Sequence, residues 1–178
     1  MKRSIVLIGT LLLLASWTSA AVEQGDIDVD FNFRWSTEEG ANGFADRDRF
    51  EIGFGVAKEI TPRIQLGIAV GHEKAERGTE ENTVNFYDLK LRYHILPDTQ
   101  FVPYIGGIYR WYDLDVKSVN GNLSTSDTAL GFLAGLRYEL TERNDIYLEY
   151  QNLSYGNDWP LNFDGGSKVL MGLIHQIR

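Results

Sequence analysis

The stretch Asp26-Ile27-Asp28-Val29-Asp30-Phe31-Asn32-Phe33-Arg34-Trp35 (DIDVDFNFRW) alternates apolar and polar side chains without a break. A β-strand sends successive side chains to opposite sides. Ile27, Val29, Phe31, Phe33 and Trp35 therefore form one face. Asp26, Asp28, Asp30, Asn32 and Arg34 form the other, so this segment is a ribbon with one greasy and one charged surface.

The same period recurs downstream. Phe50, Ile52, Phe54 and Val56 oppose Glu51, Gly53, Gly55 and Ala57, and Ile64, Leu66, Ile68 and Val70 oppose Gln65, Gly67, Ala69 and Gly71. Tyr87, Leu89, Leu91 and Tyr93 oppose Asp88, Lys90, Arg92 and His94. Leu130, Phe132, Ala134, Leu136 and Tyr138 oppose Gly131, Gly135, Arg137 and Glu139. Ile146, Leu148 and Tyr150 stand against Glu149 and Gln151. Eight strands are predicted, at 27–35, 48–58, 63–74, 84–95, 101–113, 127–140, 145–156 and 167–178. The fifth and eighth alternate less cleanly, and Gly106-Gly107 suggests a bulge that shifts the phase.

The connections alternate too. Residues 59–62, 96–100 and 141–144 are short links, with Pro62, Pro97 and Asn144 supplying turn chemistry. Residues 36–47, 75–83, 114–126 and 157–166 are longer, polar and glycine-bearing, with Asn120-Gly121-Asn122 as a turn tip. An even number of strands joined by alternately short and long links is the topology of a bacterial outer-membrane barrel, with short periplasmic turns and longer external loops.

The N-terminus fits that destination. Lys2 and Arg3 precede an apolar run from Ile5 to Ala15, and Thr18-Ser19-Ala20-Ala21 supplies small residues. This is the tripartite pattern of a secretory signal, with cleavage expected after Ala20 or Ala21. The run is shorter than the roughly 20 residues that span a bilayer. The expected organisation is a signal peptide over 1–21 and one barrel domain over 22–178. The chain has no cysteine, which excludes both a lipid-modified N-terminal Cys and disulfides. Loss of Lys2 and Arg3 with the signal moves the formal charge from −8 to −10. So acidic a chain is a poor nucleic-acid binder.

Alternation alone does not say which face is outside, since a soluble lipocalin-like carrier has the same period with the greasy face inward. Glycines mixed with charges of both signs on the polar face suit a narrow lumen. Aromatics near strand ends (Trp35, Tyr93, Tyr104, Trp111, Tyr112, Tyr138 and Tyr155) suit interfacial girdles. Both observations favour the all-β, eight-stranded antiparallel up-and-down transmembrane β-barrel. Its expected lumen charge network is Arg34, Glu51, Asp88, Lys90, Arg92, Arg137, Glu139 and Glu149, with Arg110 joining if the fifth strand holds phase. Opposite charges in a narrow bore must pair. An eight-stranded barrel is just wide enough to be filled by its own side chains, so a structural plug is favoured over a conducting pore.

Val102-Pro103-Tyr104-Ile105-Gly106-Gly107 and the closing Gly172-Leu173-Ile174-His175-Gln176-Ile177, set among the eight alternating strands, resemble the small eight-stranded outer-membrane barrels: the transmembrane part of OmpA, OmpX and OmpW-like proteins. The resemblance implies an outer-membrane location, contact with outer-membrane lipid and lipopolysaccharide, and assembly by the barrel-assembly machinery. Such barrels usually end in an aromatic residue, whereas this chain ends Ile177-Arg178. The resemblance covers the barrel alone, so the wall-tethering role of full-length OmpA-type proteins is not an expectation here.

Catalysis and metal binding find little support in the sequence. None of His72, His94 and His175 has a serine one or two positions away, although Ser154 or Ser167 could reach one across strands. Asp26, Asp28 and Asp30 share a face, but strand spacing sets alternate carboxylates about 7 Å apart. A negatively charged periplasmic entrance is the simpler reading, and no cofactor or metal is expected. The loop acids Glu38, Glu39, Glu76, Glu80 and Glu81 are expected to be solvated, or to bind cations bridging lipopolysaccharide. The expected function is a non-catalytic envelope barrel that stabilises the membrane or engages a surface partner through its external loops. A small pore for small or apolar solutes is the alternative, and a lipid A-modifying enzyme a third reading.

Overall fold

The computed structural model describes residues 22–38, 47–118, 121–155 and 167–177. The expected signal peptide and most of the loops 36–47 and 157–166 lie outside the described residues, as does Asn120. Eight strands follow in order: β1 (Ile27–Glu38), β2 (Arg47–Thr61), β3 (Ile64–Arg77), β4 (Glu80–His94), β5 (Phe101–Ser118), β6 (Gly121–Thr141), β7 (Asn144–Tyr155) and β8 (Ser167–Ile177). Each pairs antiparallel with its chain neighbour. β1 pairs with β8 from Ile27↔Ile177 to Phe33↔Met171, which closes the barrel.

The greasy face is outside. Ile68 is 65% exposed and Leu130 65%, whereas Glu51 and Glu149 are 0% exposed. In water this would be an inverted protein; in a bilayer it places apolar side chains against lipid and closes every backbone hydrogen bond in the sheet.

Glycines make the packed interior sterically feasible. Tyr104 is paired with Gly135, Tyr147 with Gly172, and Phe86 with Gly71. A Cβ on Gly135 would lie 2.3 Å from the Tyr104 ring, and one on Gly172 would lie 2.4 Å from the Tyr147 ring. Each bulky inward residue thus lies over a neighbour without a side chain, an arrangement that only Gly accommodates.

Three expectations need correction. The segments 75–83 and 114–126 are mostly strand: β3 and β4 are joined by Gly78-Thr79 alone, and β5 pairs with β6 out to Ser118↔Gly121. Their polarity looked like a loop because above the membrane both faces of a hairpin tolerate polar residues. There Ser126 Oγ donates to Asp113 Oδ1 at 2.6 Å, Ser124 donates to Asp115, and Lys74 Nζ lies 2.6 Å from Glu76 and 3.2 Å from Glu81.

Gly106-Gly107 carries no bulge, since β5 holds one register with β4 and β6 throughout. The irregularities lie instead at Glu59/Thr61 and Glu139/Thr141, beside two short turns. Those turns share one chemistry that Pro62 and Asn144 do not explain. Thr61 Oγ1 accepts from the amides of Arg63 (3.2 Å) and Ile64 (3.1 Å), and Thr141 Oγ1 accepts from those of Arg143 (3.3 Å) and Asn144 (3.1 Å).

The eighth strand alternates perfectly. It read as unclean because its inward face carries Leu170 and Ile174 beside Lys168 and Gln176.

Candidate functional site

The lumen is where the charged residues converge, and it has two zones. The external half is lined on the β4–β7 side by an apolar cluster that includes Val84, Phe86, Ile108, Tyr112, Leu133 and Leu153. Charged and polar side chains fill the rest and brace one wall against another.

Glu149 on β7 is the hub. Its Oε2 accepts from Arg92 Nη2 (2.7 Å), Arg92 Nε (3.0 Å) and Tyr104 Oη (3.0 Å). Its Oε1 accepts from Gln151 Nε2 (2.6 Å) and Lys90 Nζ (3.3 Å). Arg92 also donates to Gln65 Oε1 at 2.8 Å, tying β4 to β3. Nearer the short turns, Arg137 on β6 reaches across to Asp28 on β1 (2.6 Å), donates to Asp145 and lies 3.5 Å from Glu59. Toward the exterior, Arg34 donates to Glu73 (3.0 Å) and lies 3.7 Å from Glu51, while Lys168 on β8 donates to Glu51 at 2.6 Å. Asp88 and Arg110 form a two-point pair at 2.6 and 2.7 Å, with the Arg110 guanidinium over the Phe86 ring at 3.8 Å. Buried carboxylates and cations held this way offset one another's charge, whereas an isolated one would be very costly.

All nine residues expected in the lumen face inward and are buried. Arg110 does so because β5 keeps its phase. Arg34 and Glu51 meet at one cluster, Lys90, Arg92 and Glu149 at a second, and Asp88 with Arg110 form a third. Arg137 sits in the lower cluster, and Glu139 lies inward beside the short turns. Sequence reasoning missed Asp28, Glu59, Gln65, Glu73, Asp145 and Lys168 as network members. Glu59 continues the alternation of its strand past the predicted end at 58, and Glu73 lies within the predicted 63–74 on the face of Gln65, Gly67, Ala69 and Gly71, so carrying the period on would have found both. Asp28 was placed at an entrance rim, yet it is 1% exposed and holds Arg137 and Gln65.

The aromatic set divides. Trp35, Tyr93 and Trp111 point outward and are exposed. Tyr104 and Tyr112 do not belong to a girdle: adjacent strand positions face opposite sides, and both share the inward parity of Arg110. Tyr138 shares the outward face with Phe101 but is covered, its ring centroid 4.6 Å from that of Phe101. The Tyr155 side chain lies outside the described residues.

Among the described residues no histidine bonds a serine. His72 Nδ1 is 2.8 Å from Asn85 Oδ1 and His175 Nδ1 is 2.9 Å from Asn144 Oδ1, each across a strand pair. The Ser167 hydroxyl instead bonds Tyr150 Oη and Asn152 Nδ2, each at 2.8 Å.

A closed, eight-stranded antiparallel barrel with lipid-facing apolar residues and a charged, filled lumen is an outer-membrane protein of the small-barrel class. The chain belongs to the outer membrane protein beta-barrel domain family, whose model matches residues 6–168. Its fold is similar to the N-terminal β-barrel domain of Pseudomonas aeruginosa OprF (17% identity, TM-score 0.61, 86% of this chain and 98% of that one). It is also similar to Neisserial surface protein A (14%, 0.63, 85% and 96%) and to the attachment invasion locus protein Ail of Yersinia pestis (13%, 0.54, 86% and 99%). No curated protein matches the sequence.

Proposed function

We propose that this chain is a non-catalytic, non-conducting outer-membrane barrel that works through its surfaces: outer-leaflet lipid and lipopolysaccharide around its wall, and a surface partner at its external hairpins. The bracing of the bore carries the reading. Glu149–Arg92 joins β7 to β4 and Arg137–Asp28 joins β6 to β1, so side chains from distant strands meet in the middle. A path for ions would have to break charge-assisted bonds that are among the stronger polar contacts in proteins. The exposed rim of β3–β6 offers Asp113, Asp115, Lys74 and Lys117 to solvent or headgroups.

Reconstitution into planar bilayers tests it. The wild-type barrel is expected to leave the baseline conductance unchanged, and stable channel steps would assign the chain to the small-pore class instead. Lipid A from cells overproducing the protein is expected to keep its mass; a shift would assign an enzymatic role. Cells lacking the protein are expected to become more sensitive to detergent.

A further inference from the structure

The chain continues past the barrel's lower edge ahead of β1. Gly25 N–H donates to Glu59 O (2.8 Å) and Glu59 N–H donates to Asp26 O (2.9 Å), carrying the β1–β2 ladder to the rim. At Gly25 φ is +100°, left-handed backbone that L side chains rarely adopt, and the chain turns there. Val22 N–H then donates to Pro97 O at 3.3 Å, in the link between β4 and β5. In the closed order β1 to β8 that link lies opposite β1, so residues 22–25 cross the mouth. Residues 23–26 form a tight turn, Asp26 N–H donating to Glu23 O at 3.4 Å, and the bond from Val22 to Pro97 carries the chain over to the far rim. Val22 is 4% exposed and Pro97 is buried, so two covered apolar residues sit at this hydrogen bond at the end of a polar bore.

Beside the two anchorages lie two polar atoms without a hydrogen-bond partner. Glu59 bonds the strap through its backbone, and His94 stands three residues before Pro97. His94 Nδ1 and Glu59 Oε2 face each other at 3.7 Å, with the residues 1% and 0% exposed. Buried unpaired groups of this kind carry a desolvation cost that hydration would relieve, so an element is needed to keep the mouth shut.

We propose that Val22–Asp26 is a strap hinged at Gly25 that shuts the short-turn mouth of the barrel. Swinging it aside admits water and cations to the carboxylate-rich lower lumen around Glu59, Asp28 and Asp145. The strap governs entry at one mouth and not passage through the bore, so its test is independent of conductance.

Because the chain has no cysteine, His94→Cys introduces a single thiol behind the strap. Protein purified from outer membranes and shown to shift mobility on boiling is labelled with a cationic methanethiosulfonate reagent. Labelling is expected to be slow with the native strap and at least about tenfold faster when Val22→Asp or Gly25→Val is added, as local opening dictates. Equal rates in all three proteins would overturn the proposal. If His94→Cys does not give the boiling shift, the same comparison is made on the Glu59 amide by hydrogen exchange in otherwise wild-type protein. That amide is expected to exchange at least about tenfold faster with Val22→Asp, and unchanged exchange overturns the strap.

Discussion

Replacing Glu149 by Gln keeps the shape of the hub and removes its charge. The side chain now accepts hydrogen bonds at five donor contacts from Arg92, Lys90, Tyr104 and Gln151 while 0% exposed. In the variant the Arg92 guanidinium keeps Gln65, but Arg92 and Lys90 lose their shared counter-charge, and the new amide nitrogen faces donors. Breaking a buried pair by neutralising one partner costs about 3–5 kcal/mol. With a urea slope of about 2 kcal/mol/M, the unfolding midpoint is expected to fall by roughly 1.5–2.5 M. The assay is reversible urea unfolding in lipid vesicles, followed by tryptophan fluorescence and by the boiling-dependent gel shift. The double variant Glu149→Gln/Arg92→Met should recover part of the loss, because the second change removes the stranded charge. A midpoint shift below about 0.5 M would refute the reasoning, since a solvated bore would screen the hub and make it dispensable.

Other positions separate the lumen from the lipid face. Gly135→Ala puts a methyl group 2.3 Å from the Tyr104 ring and is expected to lower stability by about 1–3 kcal/mol. Gly107→Ala, whose nearest atom would lie 4.0 Å away, should stay within about 0.5 kcal/mol of wild type; urea midpoints compare the two. Ile68→Arg, at a site 65% exposed, is expected to cost about 2–4 kcal/mol in lipid vesicles near the bilayer midplane, and no cost there would argue against lipid contact. Thr141→Val removes the acceptor that holds Arg143 N and Asn144 N. It should destabilise by about 1 kcal/mol, with faster amide exchange confined to the 141–144 turn.

The period-two alternation placed the eight strands and put the charges together on one face of each, because a strand has only two faces; the even strand count, the link lengths and the glycines among those charges then pointed to a closed barrel with that face inward. That is why Arg110 could be placed from parity with its neighbours once β5 was known to be regular. The same argument applied to Tyr104, Trp111 and Tyr112 would have split them; reading them by composition as one girdle ignored the period. Where the membrane ends, hydropathy stops reporting strand structure, so the paired Asp and Ser residues of the β5–β6 hairpin looked like a loop.

What only the tertiary structure decided was which charge meets which. Asp28 and Arg137 are 109 residues apart and belong to the same cluster because closing β1 on β8 brings β6 within three strands of β1, across the bore. The hub at Glu149, the ring-over-glycine pairs and the strap from Val22 to Pro97 depend likewise on register around the circumference. A strand's own sequence fixes its two faces, but register is set by the closure of all eight strands together.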